Sequence, residues 1–182
     1  MSDNLIIWTI GHSTRPLDEF LALLAQYGIE AVADVRSFPG SRRFPHFGRL
    51  ALQASLKQLQ LEYQWLPALG GRRRPRPDSL NTAWRNINFR GYADYMQTPE
   101  FAAGLDQLLD LAQRVRTAVM CAELVWWRCH RSMISDALRA RGVDVLHIVD
   151  AKHSTLHPWT APARIVDGGL TYVAAENDVP LL

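Results

Sequence analysis

The chain has 182 residues, of which 48% are hydrophobic and 21% are charged. This composition is ordinary for a soluble globular protein, and no apolar run approaches the roughly 20 residues that a membrane-spanning helix needs. The N-terminal residues lack the basic region of a signal peptide, and two cysteines are too few for a disulfide scaffold. We therefore expect a cytoplasmic protein that does not associate with membranes.

The charge of the chain is small in sum but unevenly distributed. The formal net charge is +2, yet the segment from Arg36 to Arg90 holds eleven Lys and Arg residues against only Glu62 and Asp78. Eighteen of the 20 basic residues are arginines, and the planar guanidinium suits bidentate binding of phosphate or carboxylate. Because a segregated positive field concentrates anions near one face, the sequence predicts an anionic partner.

Strands and helices alternate along the first part of the chain. Short apolar runs that end in polar residues or glycine are typical of strands buried on both faces, and stripes with a helical period indicate amphipathic helices. Ser13 or Thr14 is expected to cap the first helix, with Pro16 in its first turn. The predicted elements are a strand at Leu5–Gly11, a helix that ends at Gly28, a strand at 29–37, a helix at Leu50–Leu59 and a strand at Leu61–Leu69.

The second part of the chain opens with an irregular segment, GGRRRPRPDS at 70–79, because its glycines and prolines break either period. A long helical stretch follows from about Tyr92 to Val115, and Pro99 is expected to divide it. The remaining pattern predicts a strand at 117–123, a helix at 132–142, a strand at 143–150 and a hairpin around the turn Asp167-Gly168-Gly169.

The alternation predicts an α/β fold, with a mostly parallel, doubly wound sheet, helices on both faces and a small C-terminal hairpin. We expect a single domain over 1–182, with a core at 5–150 and a hairpin extension at 151–182. In such sheets ligands bind beyond the carboxyl ends of the strands. The polar residues that follow strands should therefore gather along one edge: His12, Ser13, Asp34, Arg36, Cys121, Glu123 and Asp150.

The stretch CAELVWWRCHR carries the densest chemistry and holds both cysteines of the chain. Cys121 and Glu123 share a strand face, which makes them a candidate nucleophile and a candidate proton carrier. Cys129, His130 and Arg131 lead into a helix, whose N-terminus binds anions and lowers the pKa of a nearby thiol. Cys129 and His130 could equally extend the buried stripe of that helix, whereas Arg131 is expected at the helix mouth without being buried.

Four chemistries compete for this stretch. A phosphatase- or rhodanese-like thiolate cradle fits poorly, because Arg128 comes seven residues after Cys121 and the loop has no glycine. A zinc site of Cys121, Glu123, Cys129 and His130 has suitable donors, but the adjacent Cys129 and His130 should point apart on a helix. A redox pair of the two cysteines lacks the C-x-x-C spacing. The fourth is acid–base or electrostatic catalysis, with Glu123 and His130 as proton carriers.

Five motifs occur in order along the chain: TIGHS, ADVRSFPGSRRFPHF, LGGRRR, FRGYADYM and CAELVWWRCHRSMI. Together they resemble the bacterial family catalogued as domain of unknown function 488, over roughly Leu5 to Asp150. The resemblance implies a compact α/β cytoplasmic protein, and it supplies no activity. Carried over to matching positions, the family's signature residues are His12, Ser13, Asp34, Arg36, Arg42, Gly70, Gly71, Tyr92, Cys121, Glu123, Cys129, His130 and Arg131.

These observations predict one site at the carboxyl edge of the sheet. Its candidate catalytic residues are Cys121, Glu123, His130 and Asp34. Its candidate substrate-binding residues are His12, Ser13, Arg36, Arg42, Arg43, Arg72, Arg73, Tyr92 and Arg131, with Arg74 beside them. No metal ligand and no cofactor is predicted, and zinc is the minority alternative.

The leading hypothesis is an enzyme, a hydrolase or transferase, that acts on a phosphate-bearing nucleotide or nucleic-acid component. The first alternative is a non-catalytic nucleic-acid-binding module, in which Arg-rich loops grip phosphates and aromatic side chains stack on bases. The second is a structural role, in which Asp34–Arg36 and Glu123–Arg131 are buried ion pairs that hold the loops. The sequence leaves the reaction and the oligomeric state open.

Overall fold

The computed structural model describes residues 4–40 and 42–175. The remaining residues of the predicted domain, 1–3, 41 and 176–182, lie outside the described part. The strands are β1 (Ile6–Gly11), β2 (Ala31–Asp34), β3 (Glu62–Trp65), β4 (Thr117–Cys121), β5 (Asp144–Ile148), β6 (Ser154–Leu156), β7 (Arg164–Val166) and β8 (Gly169–Thr171). The α-helices are α1 (Leu17–Gln26), α2 (Arg49–Gln58), α3 (Ile87–Tyr95), α4 (Pro99–Arg114) and α5 (Arg131–Ala140).

The main sheet has the strand order β3-β2-β4-β1-β5-β6. The pairings among β1 to β5 are parallel, and β6 pairs with β5 in the antiparallel direction. Strand β4 lies between β1 and β2, so the connections after β1 and after β4 leave in opposite directions. This reversal of strand order is where ligands bind in α/β sheets. The predicted α/β fold with a mostly parallel sheet is confirmed.

The two faces of the sheet have separate hydrophobic cores. Helices α1 and α2 cover one face, where Phe20, Leu24 and Leu52 pack against Ile10 and Val32. Helices α3, α4 and α5 cover the other face with a second cluster that includes Tyr92, Phe101, Leu105, Leu108, Met133 and Leu138. Helices on both faces explain why the parallel strands are nearly continuous apolar runs in the sequence.

The predicted division of the long helical stretch is confirmed. Helix α4 begins at Pro99, and the Thr98 side chain accepts a hydrogen bond from the Phe101 N–H at 3.3 Å. Proline fits the first turn of a helix because its missing N–H would have no partner there.

The start of α1 differs from the prediction. Pro16 occupies the cap position without a side-chain cap, and the Ser13 N–H instead donates to the Ala122 carbonyl at 2.9 Å, which ties the segments after β1 and β4 together.

The C-terminal hairpin is also confirmed. Strands β7 and β8 pair in the antiparallel direction around Asp167 and Gly168, which both have positive φ as a tight hairpin turn requires. Strand β6 was not predicted, because its three residues are all exposed and show no alternation of burial. Within the described residues, no helix has the length and apolar character needed to cross a membrane.

Candidate functional site

A cavity of about 700 Å³ opens at the carboxyl edge of the sheet. Seven of the predicted site residues line it: Arg36, Arg72, Arg73, Tyr92, Cys121, Glu123 and His130. The other residues that line it are Ser37, Phe38, Gly71, Arg74, Asn86, Asn88, Phe89, Ala122, Arg128 and Cys129. The remaining predicted residues, His12, Ser13, Asp34, Arg42, Arg43 and Arg131, are not part of its lining.

Asp34 is fully buried and forms an ion pair with Arg36. The guanidinium donates to both carboxylate oxygens, from Nε at 2.9 Å and from Nη2 at 2.6 Å. The Tyr63 hydroxyl adds a third donor at 2.7 Å. Burial, followed by this bond to the carboxylate, raises the pKa of Tyr63. Because these donors occupy both carboxylate oxygens, Asp34 positions Arg36 and does not face the cavity as a proton carrier.

His12 lies behind this ion pair and stacks on Phe47 with ring centroids 4.2 Å apart. Its Nε2 is 3.3 Å from Nη1 of Arg36, and its Nδ1 is 2.9 Å from the Ser13 carbonyl. A guanidinium can only donate and a carbonyl can only accept, so the ring accepts at Nε2 and donates from Nδ1. Burial lowers the pKa of His12 to about 4, against the opposing effect of the Ser13 bond. His12 is therefore a neutral support for Arg36.

Arg131 is buried, which corrects the expectation that it stays unburied at the helix mouth. Its Nη2 donates to the Glu123 carbonyl at 2.6 Å and to the Leu124 carbonyl at 3.3 Å. The predicted Glu123–Arg131 ion pair is thus replaced by a bond to the backbone, and the Glu123 side chain is exposed at the cavity. A Cβ on Gly11 would lie 1.9 Å from the Glu123 carbonyl oxygen, so this close approach requires glycine.

Cys121, Cys129 and His130 converge at the cavity, and their donor atoms all lie within 4.8 Å of one another. Both thiols are buried. Donation of its S–H to Cys129, together with burial, raises the pKa of Cys121. Burial also acts to raise the pKa of Cys129, but the bond from Cys121 and the charge and N–H of Arg131 outweigh it and lower that pKa. Of the two thiols, Cys129 is therefore the more acidic, whereas the sequence favoured Cys121 as the nucleophile.

His130 is held in one orientation by the backbone. Its Nε2 is 3.1 Å from the Val35 carbonyl, which can only accept, so this nitrogen carries a proton. Its Nδ1 is 3.6 Å from Sγ of Cys129. Tyr92 packs edge-on against the imidazole and donates its hydroxyl to the Leu69 carbonyl at 2.8 Å. Tyr92 thus contributes packing to the floor of the cavity, with its hydroxyl already paired.

The arginines of the cavity fall into two groups. Arg36 and Arg73 already bind other groups of the protein. Arg36 pairs with Asp34, and Arg73 donates to the Gly70 and Pro67 carbonyls and lies over the Tyr95 ring at 3.6 Å. Three others, Arg72, Arg74 and Arg128, are exposed and form no ion pair within the described residues. Glu123 is the single acidic side chain among the described lining residues. The mouth of the cavity is therefore positively charged.

Two predicted arginines lie elsewhere. Arg42 and Arg43 are exposed on the loop before α2, where Arg43 lies over the Phe44 ring at 5.4 Å. The cavity lining also carries features that the sequence did not single out as a set. Phe38 is 73% exposed with Arg72 beside its ring, and the start of α3 contributes Asn86, Asn88 and Phe89.

A buried chain of hydrogen bonds runs behind the site and was also missed. Thr9 Oγ1 lies 2.7 Å from Nδ1 of His147, whose Nε2 lies 2.9 Å from Nδ1 of His157. His157 Nε2 then lies 3.0 Å from the Asp136 carboxylate. At the other end, Nη1 of Arg131 donates to Thr9 at 3.3 Å. The sequence carries a signal for this chain, because Thr9 and His147 are polar residues inside apolar runs that are predicted as strands.

The comparisons with known proteins point to one family. No curated protein and no solved structure matches the chain. The family model described as domain of unknown function DUF488 matches residues 16–138, which is more than half of the chain and includes the segment from Cys121 to Arg131. The chain therefore belongs to this family of unknown function.

Proposed function

We propose that this protein is an enzyme that acts on a phosphate-bearing substrate of nucleotide size in the cavity at the carboxyl edge of the sheet. One observation carries the proposal: exposed arginines that form no ion pair with any described residue share a cavity with a buried group of thiols and an imidazole. Guanidinium groups supply the charge-assisted bonds that bind phosphate. A cavity of about 700 Å³ has the usual size of a small-molecule site.

The walls of the cavity favour a nucleotide over inorganic phosphate. Phe38 and Phe89 offer aromatic surface on which a base can stack. Asn88 offers its amide group to the edge of the base, and Asn86, whose amide oxygen caps α3, offers its NH₂ group. Arg72 lies beside Phe38 and would bind a phosphate close to the stacked base. This arrangement supports a substrate with a flat polar group at one end and an anion at the other.

Glu123 is the candidate proton carrier of the proposed reaction. Its side chain is exposed at the cavity, and within the described residues it has no hydrogen-bond partner. Its backbone is held by the short bond from Arg131 to its carbonyl, so the carboxylate is displayed from a fixed position. A group positioned in this way can donate or accept a proton as a leaving or attacking oxygen changes charge.

Calorimetric titration with a nucleoside monophosphate, its parent nucleoside and inorganic phosphate tests the proposal. We expect the monophosphate to bind and the uncharged nucleoside to bind much more weakly. Replacing Arg74 or Arg128 with alanine should weaken binding about tenfold, because one charge-assisted hydrogen bond contributes about 1.5–3 kcal/mol before solvent screening at an exposed site. The matched control is Arg43→Ala, which removes the same charge from an exposed position outside the cavity.

Equal weakening by Arg43→Ala and Arg74→Ala would show that the field of the whole protein, and not the cavity, attracts the anion. The non-catalytic nucleic-acid module makes a different prediction. Its affinity for single-stranded oligonucleotides would exceed that for mononucleotides and fall steeply with salt, and Glu123→Gln would change nothing. For the enzyme, Glu123→Gln should preserve nucleotide binding and abolish turnover.

A further inference from the structure

We propose that Cys121, Cys129 and His130 bind a zinc ion at the floor of the cavity and leave its fourth coordination position open to the cavity. The three residues combine the donor types that zinc prefers, two sulfurs and one imidazole nitrogen. The proposal concerns the same cavity as the proposed function, but metal binding can be measured without any substrate.

The spacing of the donor atoms agrees with a tetrahedral site. Zinc binds sulfur at about 2.3 Å and histidine nitrogen at about 2.0–2.1 Å, so a tetrahedral angle separates the two donors by about 3.5 Å. The distance between Sγ of Cys129 and Nδ1 of His130 is 3.6 Å. The third donor, Sγ of Cys121, lies within 4.8 Å of both. Little movement is therefore needed to place one ion in contact with all three.

The surroundings of His130 match those of metal-binding histidines. Such residues usually donate their second ring N–H to a carbonyl or carboxylate, which fixes the tautomer and turns the free lone pair toward the ion. Here Nε2 donates to the Val35 carbonyl at 3.1 Å, and the other ring nitrogen, Nδ1, faces Cys129. The Arg131 N–H at 3.4 Å from Sγ of Cys129 likewise favours the thiolate, the form of cysteine that binds metal.

Cys129 and His130 do not diverge as neighbouring residues on a helix would. Helix α5 begins at Arg131, so both Cys129 and His130 precede it. Cys129 has extended backbone angles, φ −129° and ψ 149°, whereas His130 has helical angles of −57° and −14°. This change of conformation between neighbours brings their side chains together instead of spreading them.

The site would be of the catalytic type. Structural zinc ions have four protein ligands, whereas catalytic ions have three and keep one position for water or substrate. All three residues line the cavity, so the open position faces the space where a phosphate-bearing substrate would lie. Two thiolates balance the charge of the ion, and loading releases the protons that the thiols carried. A zinc-bound water there would supply a nucleophile for hydrolysis.

Cobalt titration of the metal-free, reduced protein tests the inference. Co²⁺ in a tetrahedral site with two thiolates gives thiolate-to-metal charge-transfer bands and strong visible d–d bands, and we expect both to saturate at one ion per chain. One equivalent of Zn²⁺ should remove them. The variants Cys121→Ser and His130→Gln should each lose stoichiometric binding. The matched control is His153→Gln, an exposed histidine paired with Asp150, which should bind like the parent.

Circular dichroism of each variant separates loss of a ligand from loss of the fold. A second measurement needs no variant: the melting temperature of the parent should rise with Zn²⁺ concentration, because an ion that binds only the folded state stabilises it. Absence of tetrahedral bands, a melting temperature indifferent to zinc, or unchanged binding by folded His130→Gln would each overturn the inference. These outcomes leave nucleotide binding by Arg74 and Arg128 untouched, so this proposal and the proposed function can fail separately.

Discussion

Replacement of Asp34 with alanine leaves the Arg36 guanidinium charged and buried without its partner. The carboxylate receives two bonds from that guanidinium at 2.9 and 2.6 Å and one from Tyr63 at 2.7 Å, and both members of the ion pair are buried. Removing one partner of a buried ion pair costs about 3–5 kcal/mol. For a domain of this size, about 2–4 °C of melting temperature is lost per kcal/mol, so a decrease of roughly 6–20 °C is expected.

Urea denaturation followed by circular dichroism measures the decrease in the free energy of unfolding. The matched control is Asp106→Ala, which breaks a pair with Arg141 at 2.7 Å between two exposed side chains. An exposed pair contributes about 0–1 kcal/mol, so the control should stay close to the parent. The double variant Asp34→Ala/Arg36→Met removes the stranded charge and should recover part of the loss. Equal destabilisation by Asp34→Ala and Asp106→Ala would refute the assignment of Asp34 as a structural support of Arg36.

Two further predictions concern the supports of the site. Burial lowers the pKa of His12 to about 4 and that of His147 to about 2 from the usual 6.5. Below pH 6.5 the unfolded chain therefore binds protons that the folded chain does not. The free energy of unfolding, measured by urea titration, should fall as the pH decreases from 6.5 toward 4. A constant free energy of unfolding between pH 7 and pH 5 would contradict this prediction. Gly91→Ala should destabilise by about 1–3 kcal/mol or more, because the new Cβ would lie 2.2 Å from the Arg73 carbonyl oxygen. Gly40→Ala, which meets no atom within 4 Å, should leave the melting temperature unchanged.

The rule that ligands bind at the carboxyl ends of parallel strands is sufficient to predict that Arg36, Cys121 and Glu123 share one edge of the sheet, and all three line the cavity. This rule predicts where the backbone at the strand ends lies, but not where each side chain points. Asp34 and Arg36 are two positions apart at the end of β2, close enough to form an ion pair with each other. Because of this ion pair, the Asp34 side chain does not line the cavity. The sequence predicts this ion pair only in its second alternative, in which Asp34 and Arg36 hold the loops, and otherwise assigns Asp34 to catalysis.

The segment between β4 and α5 was harder to predict for a different reason. Trp126 to Arg128 form a short 3-10 turn, and α5 starts at Arg131, one residue before the predicted helix at 132–142. The helical period of the sequence extended backward to Cys129 and His130, which would separate their side chains. Tertiary contacts hold the non-helical segment before α5 in place. The Glu123 carbonyl accepts a hydrogen bond from Arg131, and the ring of Trp126 stacks on His147 with centroids 4.3 Å apart. No local pattern contains these contacts.

The buried chain of hydrogen bonds that begins at Asp136 and ends at Arg131 explains why polar residues occupy the core beneath this segment. With both imidazoles neutral, one assignment satisfies every contact, because a carboxylate only accepts and a guanidinium only donates. Asp136 then accepts from His157, His157 from His147, His147 from Thr9, and Thr9 from Arg131. Each link orients the next, and Nη2 of the guanidinium at the end donates to the Glu123 and Leu124 carbonyls. A buried charge held in this way fixes the segment of Glu123 more rigidly than a solvated side chain would, because any displacement leaves a polar group in the core without a partner.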